Sequence, residues 1–340
     1  MSLAPPPSRE PLLAVSDLAI DLAGETVQRG LIHDVSFTVA PGESVALIGE
    51  SGCGKTMTGM AVLGLLPRGF TVSSGSIRLG GRDLLACSER ELRSVRGRSL
   101  GAIFQEPMSS LDPTMRVGDQ IAEARRLHLG ESRKVARARA EELLDRVGIA
   151  DAARRLDSYP HELSGGMQQR VMIASAIACD PDLVLADEPT TALDVTIQAE
   201  ILELLRELRR EQGIAVLLVT HDLGVVADFC DRVVVMYAGT VVERAGVDEL
   251  FADPAHPYTR ALLDAVPQTG HPRTLLPVIQ GRVPVAGRFP AGCRFEPRCP
   301  HGGDERCLAP QHETALPGAR SVRCARAAAG EPVTRPAVPA

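Results

Sequence analysis

Apolar and polar residues alternate in "LLAVSDLAIDL" (12–22) and "HDVSFTV" (33–39), which predicts strands of an antiparallel sheet with one buried face. "ESVALIG" (43–49) is apolar enough to be a fully buried strand, and "KTMTGMAVLGLL" (55–66) after it has helical character. "GSIRLGG" (75–81) and "LGAIFQ" (100–105) read as further short strands. From Met108 to Ile177 the pattern becomes helical. "DLVLADE" (182–188) and "IAVLLVT" (214–220) are short apolar runs separated by the long helical stretch "TIQAEILELLRELRREQG" (196–213). That strand–helix–strand order predicts a parallel sheet. "RVVVMYAGTVVERAG" (232–246) reads as a hairpin turning at Ala238-Gly239, and "HPYTRALLDAVP" (256–267) as a last short helix.

At 340 residues the chain can hold one large domain and an appendage, or two domains. Its 44% hydrophobic and 24% charged residues suffice for a proper core. The net charge of −6 speaks against a sequence-independent nucleic-acid binder, and 3% aromatics without Trp leave little surface for stacking bases. No apolar run is long enough to cross a bilayer, and "MSLAPPPSREP" lacks the apolar core of a secretory signal. The expected compartment is therefore the cytosol, where clustered cysteines more often bind metal than form disulfides. Residues 1–10, rich in Pro, are expected to be disordered, and "ARAAAGEPVTRPAVPA" (325–340) is expected to be a tail too poor in apolar residues to pack.

"GESGCGKT" (49–56) fits G-x-x-x-x-G-K-[ST] and lies between a buried strand and a helix, where phosphate binding requires it. The loop Gly49, Ser51, Gly52, Cys53 and Gly54 would turn backbone N–H groups toward phosphate oxygens at a helix N-terminus. Lys55 would reach the β- and γ-phosphates, and the Thr56 hydroxyl would coordinate Mg²⁺. "LVLADE" ends in Asp187, suited to a second Mg²⁺ contact, and in Glu188, which could polarise the attacking water. In "LSGGMQQR" (163–170), Ser164, Gly165 and Gly166 open a second helix N-terminus suited to phosphate. One nucleotide cannot easily use two such loops of one chain, so this loop would cap ATP bound by a second subunit.

These motifs together resemble the nucleotide-binding subunit of an ABC transporter over residues 12–267. "GESGCGKT" is similar to its Walker A motif, "LVLADE" to its Walker B motif and "LSGGMQQ" to its signature sequence. Gln105 in "IFQEP" matches the Q-loop, Asp194 in "TALD" the D-loop and His221 in "LVTHD" the H-loop. The resemblance implies a P-loop NTPase (RecA-like) α/β core at 11–266, with an antiparallel β-subdomain and a helical subdomain at about 106–170. It implies that Gln105 contacts Mg²⁺ and the attacking water, that His221 binds the γ-phosphate, and that Asp194 makes dimer contacts. Gln168 would join the signature residues at the nucleotide, and Glu188 would be the base. The family's early-strand aromatic on adenine has no match in "LAIDLAGETV" (18–27), where Leu22 is the best candidate.

Cys53 lies inside the phosphate loop. Two readings are open: it fills a slot open to many small residues, or it is a thiol made reactive by the helix N-terminus and protected by ATP. The Arg-rich stretch 125–146 carries Glu131, Glu141 and Glu142 as well, as a solvated helix face would; part of it could also lie near membrane subunits.

Half of the eight cysteines fall in an extension at 267–324: Cys293, Cys299, Cys307 and Cys324, spaced C-x₅-C-x₇-C-x₁₆-C. Four thiolates can close a zinc site or hold an iron–sulfur cluster. Zinc sites usually begin with a C-x₂₋₄-C pair, and none occurs here. "HPYTRALLDAVP" with "PAGCRFEPRCP" resembles the dipeptide/oligopeptide and nickel import ATPases, in which a four-cysteine extension implies a 4Fe–4S cluster. Zinc and unmetallated thiols stay open as alternatives.

The resemblance implies an ATP- and Mg²⁺-dependent translocase subunit, peripheral on the cytoplasmic face of the inner membrane. Its partners would be a second, different ATPase subunit in a heterodimer, two transmembrane permease subunits and an extracytoplasmic solute-binding protein, with no nucleic acid. Peptides are the expected cargo, nickel the alternative. A soluble ABC ATPase of DNA repair or translation is disfavoured by the single Walker A motif and the lack of an extended heptad run.

Overall fold

The computed structural model describes residues 10–23, 28–190, 194–266, 278–285 and 287–333. The expected disordered start, part of the early strand–turn region (24–27), "TAL" of the D-loop (191–193), the beginning of the extension (267–277) and the end of the tail (334–340) lie outside them.

In chain order, β1 (Leu13–Leu22), β2 (Gln28–Val39) and β3 (Ser44–Ile48) lead to α1 (Lys55–Leu63). Then come β4 (Phe70–Leu79), β5 (Arg82–Asp83), α2 (Glu89–Val95) and β6 (Leu100–Ile103). The helical stretch holds α3 (Pro107–Ser110), α4 (Val117–Leu129), α5 (Arg133–Arg146), α6 (Ala152–Arg155) and α7 (Gly165–Ala176). β7 (Leu183–Asp187), α8 (Val195–Gln212), β8 (Ala215–Val219) and α9 (Leu223–Phe229) follow. The chain continues through β9 (Arg232–Tyr237), β10 (Thr240–Gly246), α10 (Val247–Ala252) and α11 (Pro257–Asp264). It ends in β11 (Thr314–Leu316), β12 (Arg320–Val322) and α12 (Ala325–Ala328). Among the described residues no helix is long and apolar enough to cross a membrane.

The chain divides into two compact units. Unit 1 comprises residues up to Val15, Thr38–Glu43 and Ile77–Leu217; unit 2 comprises Ser16–Phe37, Ser44–Ser76 and the chain from Leu218 on. In unit 1, β6 and β7 run parallel, with Leu100 opposite Leu183 and Ile103 opposite Ala186, and β8 follows β7. All five residues of β7 and of β8 are buried, as expected of parallel strands covered on both faces. Helices α4, α5 and α7 pack together beside them. The Arg-rich stretch is mostly exposed, as a solvated face should be, but Arg125 is not. Its side chain is buried, pairs twice with Glu131 at 2.6 and 2.8 Å, and donates to the Ala178 carbonyl.

In unit 2 the sheet order is β11-β12-β10-β9-β3, continuing into the end of β8. β3 and β9 are parallel, with Val45 opposite Arg232 and Ile48 opposite Val235. β9 and β10 form the expected hairpin; Ala238 and Gly239 both take positive φ (45° and 84°), which a two-residue hairpin turn demands. β12 pairs with β10 through Glu243–Val322 and Arg244–Ser321. The C-terminal extension is therefore built into the sheet edge and is not an appendage. The tail also departs from expectation: α12 makes one helical turn, and Arg306 and Arg326 both reach Glu331, at 2.8 and 3.1 Å. Strands β2, β1 and β4 lie in that order in a second sheet.

Candidate functional site

The phosphate loop lies wholly in unit 2. β3 is fully buried and delivers the chain into the turn at Gly49. A Cβ at Gly49 would stand 2.2 Å from the Met236 carbonyl oxygen, so that position admits no side chain, and at Gly54 the φ of 104° disfavours any residue but glycine. Gly54 ends the loop and gives α1 no side-chain cap, the kind of helix start that phosphate binding uses. Lys55 is buried, and its Nζ donates to the carbonyls of Gly49 (2.7 Å) and Glu50 (3.1 Å). Ser51, Gly52 and Thr56 are exposed around it. His221, also exposed, follows β8 and precedes Asp222, which caps α9 through the Gly224 and Val225 N–H groups. Leu22 is half-buried near the Gly69 turn.

Of the two readings of Cys53, the structure fits the slot filler and not the reactive thiol. Its side chain is fully buried, and burial raises its pKa more than neighbouring Lys55 lowers it. Desolvation outweighs the helix terminus and the ammonium, so the thiol is held protonated. Its backbone serves the loop: the N–H donates to Glu50 (3.2 Å) and the carbonyl accepts from Gly239 (2.9 Å).

Around the loop stands a cluster that the sequence motifs did not disclose. The Glu50 N–H donates to the Tyr258 hydroxyl at 2.8 Å. Tyr258 is fully buried against Tyr237 and Phe295, with ring centroids 4.7 and 5.4 Å away. His256 Nδ1 accepts the Tyr258 N–H at 3.0 Å, and burial drives the His256 pKa down to about 3, so the ring is neutral. Buried Glu243, its pKa raised by desolvation, accepts the Ala255 and His256 N–H groups at 2.7 and 2.8 Å. The available signal was composition. Two of only three tyrosines in the chain sit in this one cluster.

Unit 1 carries the carboxylates and the signature segment. Asp187 ends β7 and is buried. Glu188 takes φ 46°, a left-handed conformation uncommon outside glycine and enriched at functional sites. Gln105 Nε2 donates to Glu188 Oε2 at 3.1 Å, so the structure brings these two expected residues together. Ser164 caps α7, its Oγ accepting the Met167 N–H at 3.4 Å; Ser164 and Gly165 are exposed. Gly166 is half-buried against Ile197 of α8. Gln168 departs from its expected nucleotide contact. Its side chain is buried, and its amide donates inward to the carbonyls of Pro160 (2.7 Å) and Leu163 (3.3 Å). Gln169, not singled out from sequence, donates to the Pro189 carbonyl at 2.6 Å, tying the signature helix to the turn after Glu188. Asp194 is exposed and caps α8 through the Ile197 N–H at 2.9 Å.

The four C-terminal cysteines share one neighbourhood in unit 2. Burial, with a smaller contribution from the neighbouring cysteines, lifts the thiol of Cys293 to about 12 and of Cys299 to about 11. Cys307 is raised by burial too, and the Cys293 N–H donates to its carbonyl at 2.8 Å. Yet among the described residues no three His, Cys, Asp or Glu side chains are arranged to hold a metal ion. The expected four-cysteine metal site is therefore not present as a ligand set among the described residues. Burial keeps the Cys293, Cys299 and Cys307 thiols protonated.

The ABC transporter family pattern matches residues 32–191, and the oligopeptide/dipeptide transporter C-terminal region matches residues 242–307. An ATP-binding protein of Brucella abortus, assigned provisionally to peptide import, is 48% identical over 92% of this chain and 94% of its own. A Sinorhizobium fredii protein, likewise assigned provisionally as a peptide ABC transporter ATP-binding protein, is 51% identical over 86% of this chain and 88% of its own. Among solved structures, the dimeric ATP-binding cassette MJ0796 bound to ADP and Pi superposes with a TM-score of 0.62 at 28% identity, over 69% of this chain and 98% of that one. The Clostridium perfringens cbiO1, part of the cbiONQ ABC transporter complex, gives a TM-score of 0.60 at 28% identity, over 72% of this chain and 92% of its own. With an open phosphate loop, a carboxylate-ended buried strand, a capped signature helix and these relatives, the chain belongs to the ABC transporter ATP-binding family, in the branch that carries the oligopeptide/dipeptide transporter C-terminal region.

Proposed function

We propose that this ABC-type ATPase powers uptake of di- and oligopeptides, acting peripherally at the cytoplasmic face of the inner membrane. Its partners in this reading are a second, related ATPase subunit, two transmembrane permease subunits and an extracytoplasmic solute-binding protein. The carrying observation is that a phosphate loop and a C-terminal region of the oligopeptide/dipeptide type occur in one chain, alongside relatives assigned to peptide import. Nickel as cargo and a soluble repair or translation role are not favoured by these relatives.

The loop N–H groups and Lys55 hold the triphosphate. Mg²⁺ takes oxygen ligands, and the Thr56 hydroxyl, the Gln105 amide oxygen and the Asp187 carboxylate are of that chemistry. The ion would neutralise phosphate charge when bound. Glu188 accepts the proton of the attacking water, and its hydrogen bond to Gln105 supports that role by fixing the carboxylate. His221 contacts the γ-phosphate. Ser164, Gly165 and Gly166 cap a nucleotide held by the second subunit, where Asp194 adds contacts; the exposure of Ser164, Gly165 and Asp194 supports this. Gln168 acts from behind by bracing the loop.

For the cysteines we retain the 4Fe–4S reading, with zinc as the alternative. The shared neighbourhood of Cys293, Cys299, Cys307 and Cys324 supports it, and a cluster spans wider sulfur spacing than a single ion. It would hold together a segment poor in apolar residues. Anaerobic purification with iron, zinc and acid-labile sulfide analysis decides it. About four irons and four sulfides per chain are expected; one zinc without sulfide replaces the cluster by a zinc site. Cargo is tested by deleting the chain in its own cells and following labelled peptides and Ni²⁺. Loss of peptide uptake with Ni²⁺ uptake kept is expected, and the reverse transfers the assignment to nickel.

A further inference from the structure

The cysteine segment and the phosphate loop meet inside unit 2, at Arg298. This residue precedes Cys299, and its side chain is only 4% exposed. Its guanidinium grips Glu50 at two points, Nη1 to Oε2 at 2.6 Å and Nη2 to Oε1 at 3.1 Å. The remaining donors are used as well: Nε to the Gln280 carbonyl at 2.9 Å, Nη2 to Ile279 at 3.3 Å and Nη1 to the Tyr237 hydroxyl at 3.3 Å. A planar fork satisfied on every side has one place to be.

Glu50 is the first open position of G-x-x-x-x-G-K-T, which the phosphate chemistry leaves free. A bare carboxylate there would repel a triphosphate. Glu50 also carries the loop's internal bonds. Its N–H is held by Tyr258, and its carbonyl receives both the Cys53 N–H and Lys55 Nζ. Fixing its side chain therefore fixes the segment on which Lys55 rests. A second arginine of the same segment reinforces this. Arg294 donates to the carbonyls of Ala238 and Gly30, and the Ala238-Gly239 turn in turn donates to Cys53.

Resting on the ATPase reading, we propose that Arg298 is a positioning residue for ATP, which holds Glu50 and cancels its charge within the phosphate loop. The C-terminal extension is then a working part of the nucleotide site. The test is equilibrium binding of a fluorescent ATP analogue, with KM and kcat measured alongside, on the full chain. Arg298→Gln weakens binding roughly 10- to 100-fold, the range for a lost charge-assisted contact, and raises KM far more than it lowers kcat. Glu50→Gln/Arg298→Gln regains most of the affinity because no bare carboxylate remains. Arg298→Lys keeps the charge but not the fork and falls in between. Melting temperatures identify any variant that fails to fold, in which case the double variant and Arg298→Lys carry the test. Wild-type affinity in folded Arg298→Gln, or a double variant as weak as the single one, overturns the proposal while leaving the ATPase reading intact. Absence of ATP binding by the wild type overturns both.

Discussion

Two helix N-termini in this chain have phosphate-binding composition, and they are built differently. α1 starts at Gly54 without a side-chain cap, and its loop is braced from behind by Tyr258 and Arg298. α7 starts at Ser164, caps itself, and leaves Gly165 exposed with nothing within 4 Å of an added Cβ. The first is a braced cradle whose helix start carries no side-chain cap. The second caps itself through Ser164, and its exposed Gly165 suits a phosphate presented from outside. Self-sufficiency at α7 and bracing at α1 match a division of labour in which one loop binds ATP and the other closes over a partner's.

The largest effect should come from the chemistry that both termini serve. Glu188→Gln leaves ATP binding intact and lowers phosphate release about 10²–10⁴-fold. Unchanged release would move the base elsewhere. Next comes Gly165→Asp, which separates the two helix starts. An acid in the first turn favours the helix, and the site has room for it, so the melting temperature should hold. Binding of ATP by the isolated chain should also hold, while turnover in the assembled transporter falls about 10²-fold from the charge set against phosphate. Equal losses of binding and turnover would erase the distinction.

A smaller effect is expected at Tyr258→Phe, which removes the acceptor for the Glu50 N–H. It should lower stability by about 1–3 kcal/mol in denaturant titration and raise the KM for ATP. Behind it, His256 makes the brace sensitive to acid. Its folded pKa is about 3 against an ordinary 6.5, so below pH 6.5 the unfolded chain takes up a proton that the folded chain refuses. Stability falls by up to about 1.4 kcal/mol per pH unit as pH drops through that window. Glu243, its pKa raised from 4.5, acts in the opposite sense, losing stability as pH rises through its folded pKa. The difference between wild type and His256→Asn isolates the histidine, and parallel pH profiles would refute it. Last, Cys53 should label slowly with a thiol alkylator in the folded protein, with or without ATP, because burial governs it. Fast, ATP-protected labelling would restore the reactive-thiol expectation.

The core was legible where local pattern and tertiary demand agree. Buried runs at β3, β7 and β8, the Ala238-Gly239 turn, and the glycine spacing of the phosphate loop each have one physical solution. Residues whose role depends on side-chain direction were not legible. Gln168 and Gln169 are neighbours in a signature segment, yet both turn inward to carbonyls, which a motif cannot convey. Sequence left Cys53 open between a slot filler and an activated thiol because burial is invisible there. Arg298 and Glu50 are 248 residues apart, and nothing local to either announces the other. The extension read as an appendage because its strands, β11 and β12, are three residues each, too short for an alternating pattern to register.

The most direct measurement is peptide uptake by cells whose only copy of this chain carries Glu188→Gln, with ATP binding by the purified variant measured in parallel. The account predicts retained ATP binding and abolished accumulation of labelled di- and oligopeptides, restored by the wild-type chain. Accumulation at the wild-type rate by a variant that binds but does not hydrolyse ATP would contradict it.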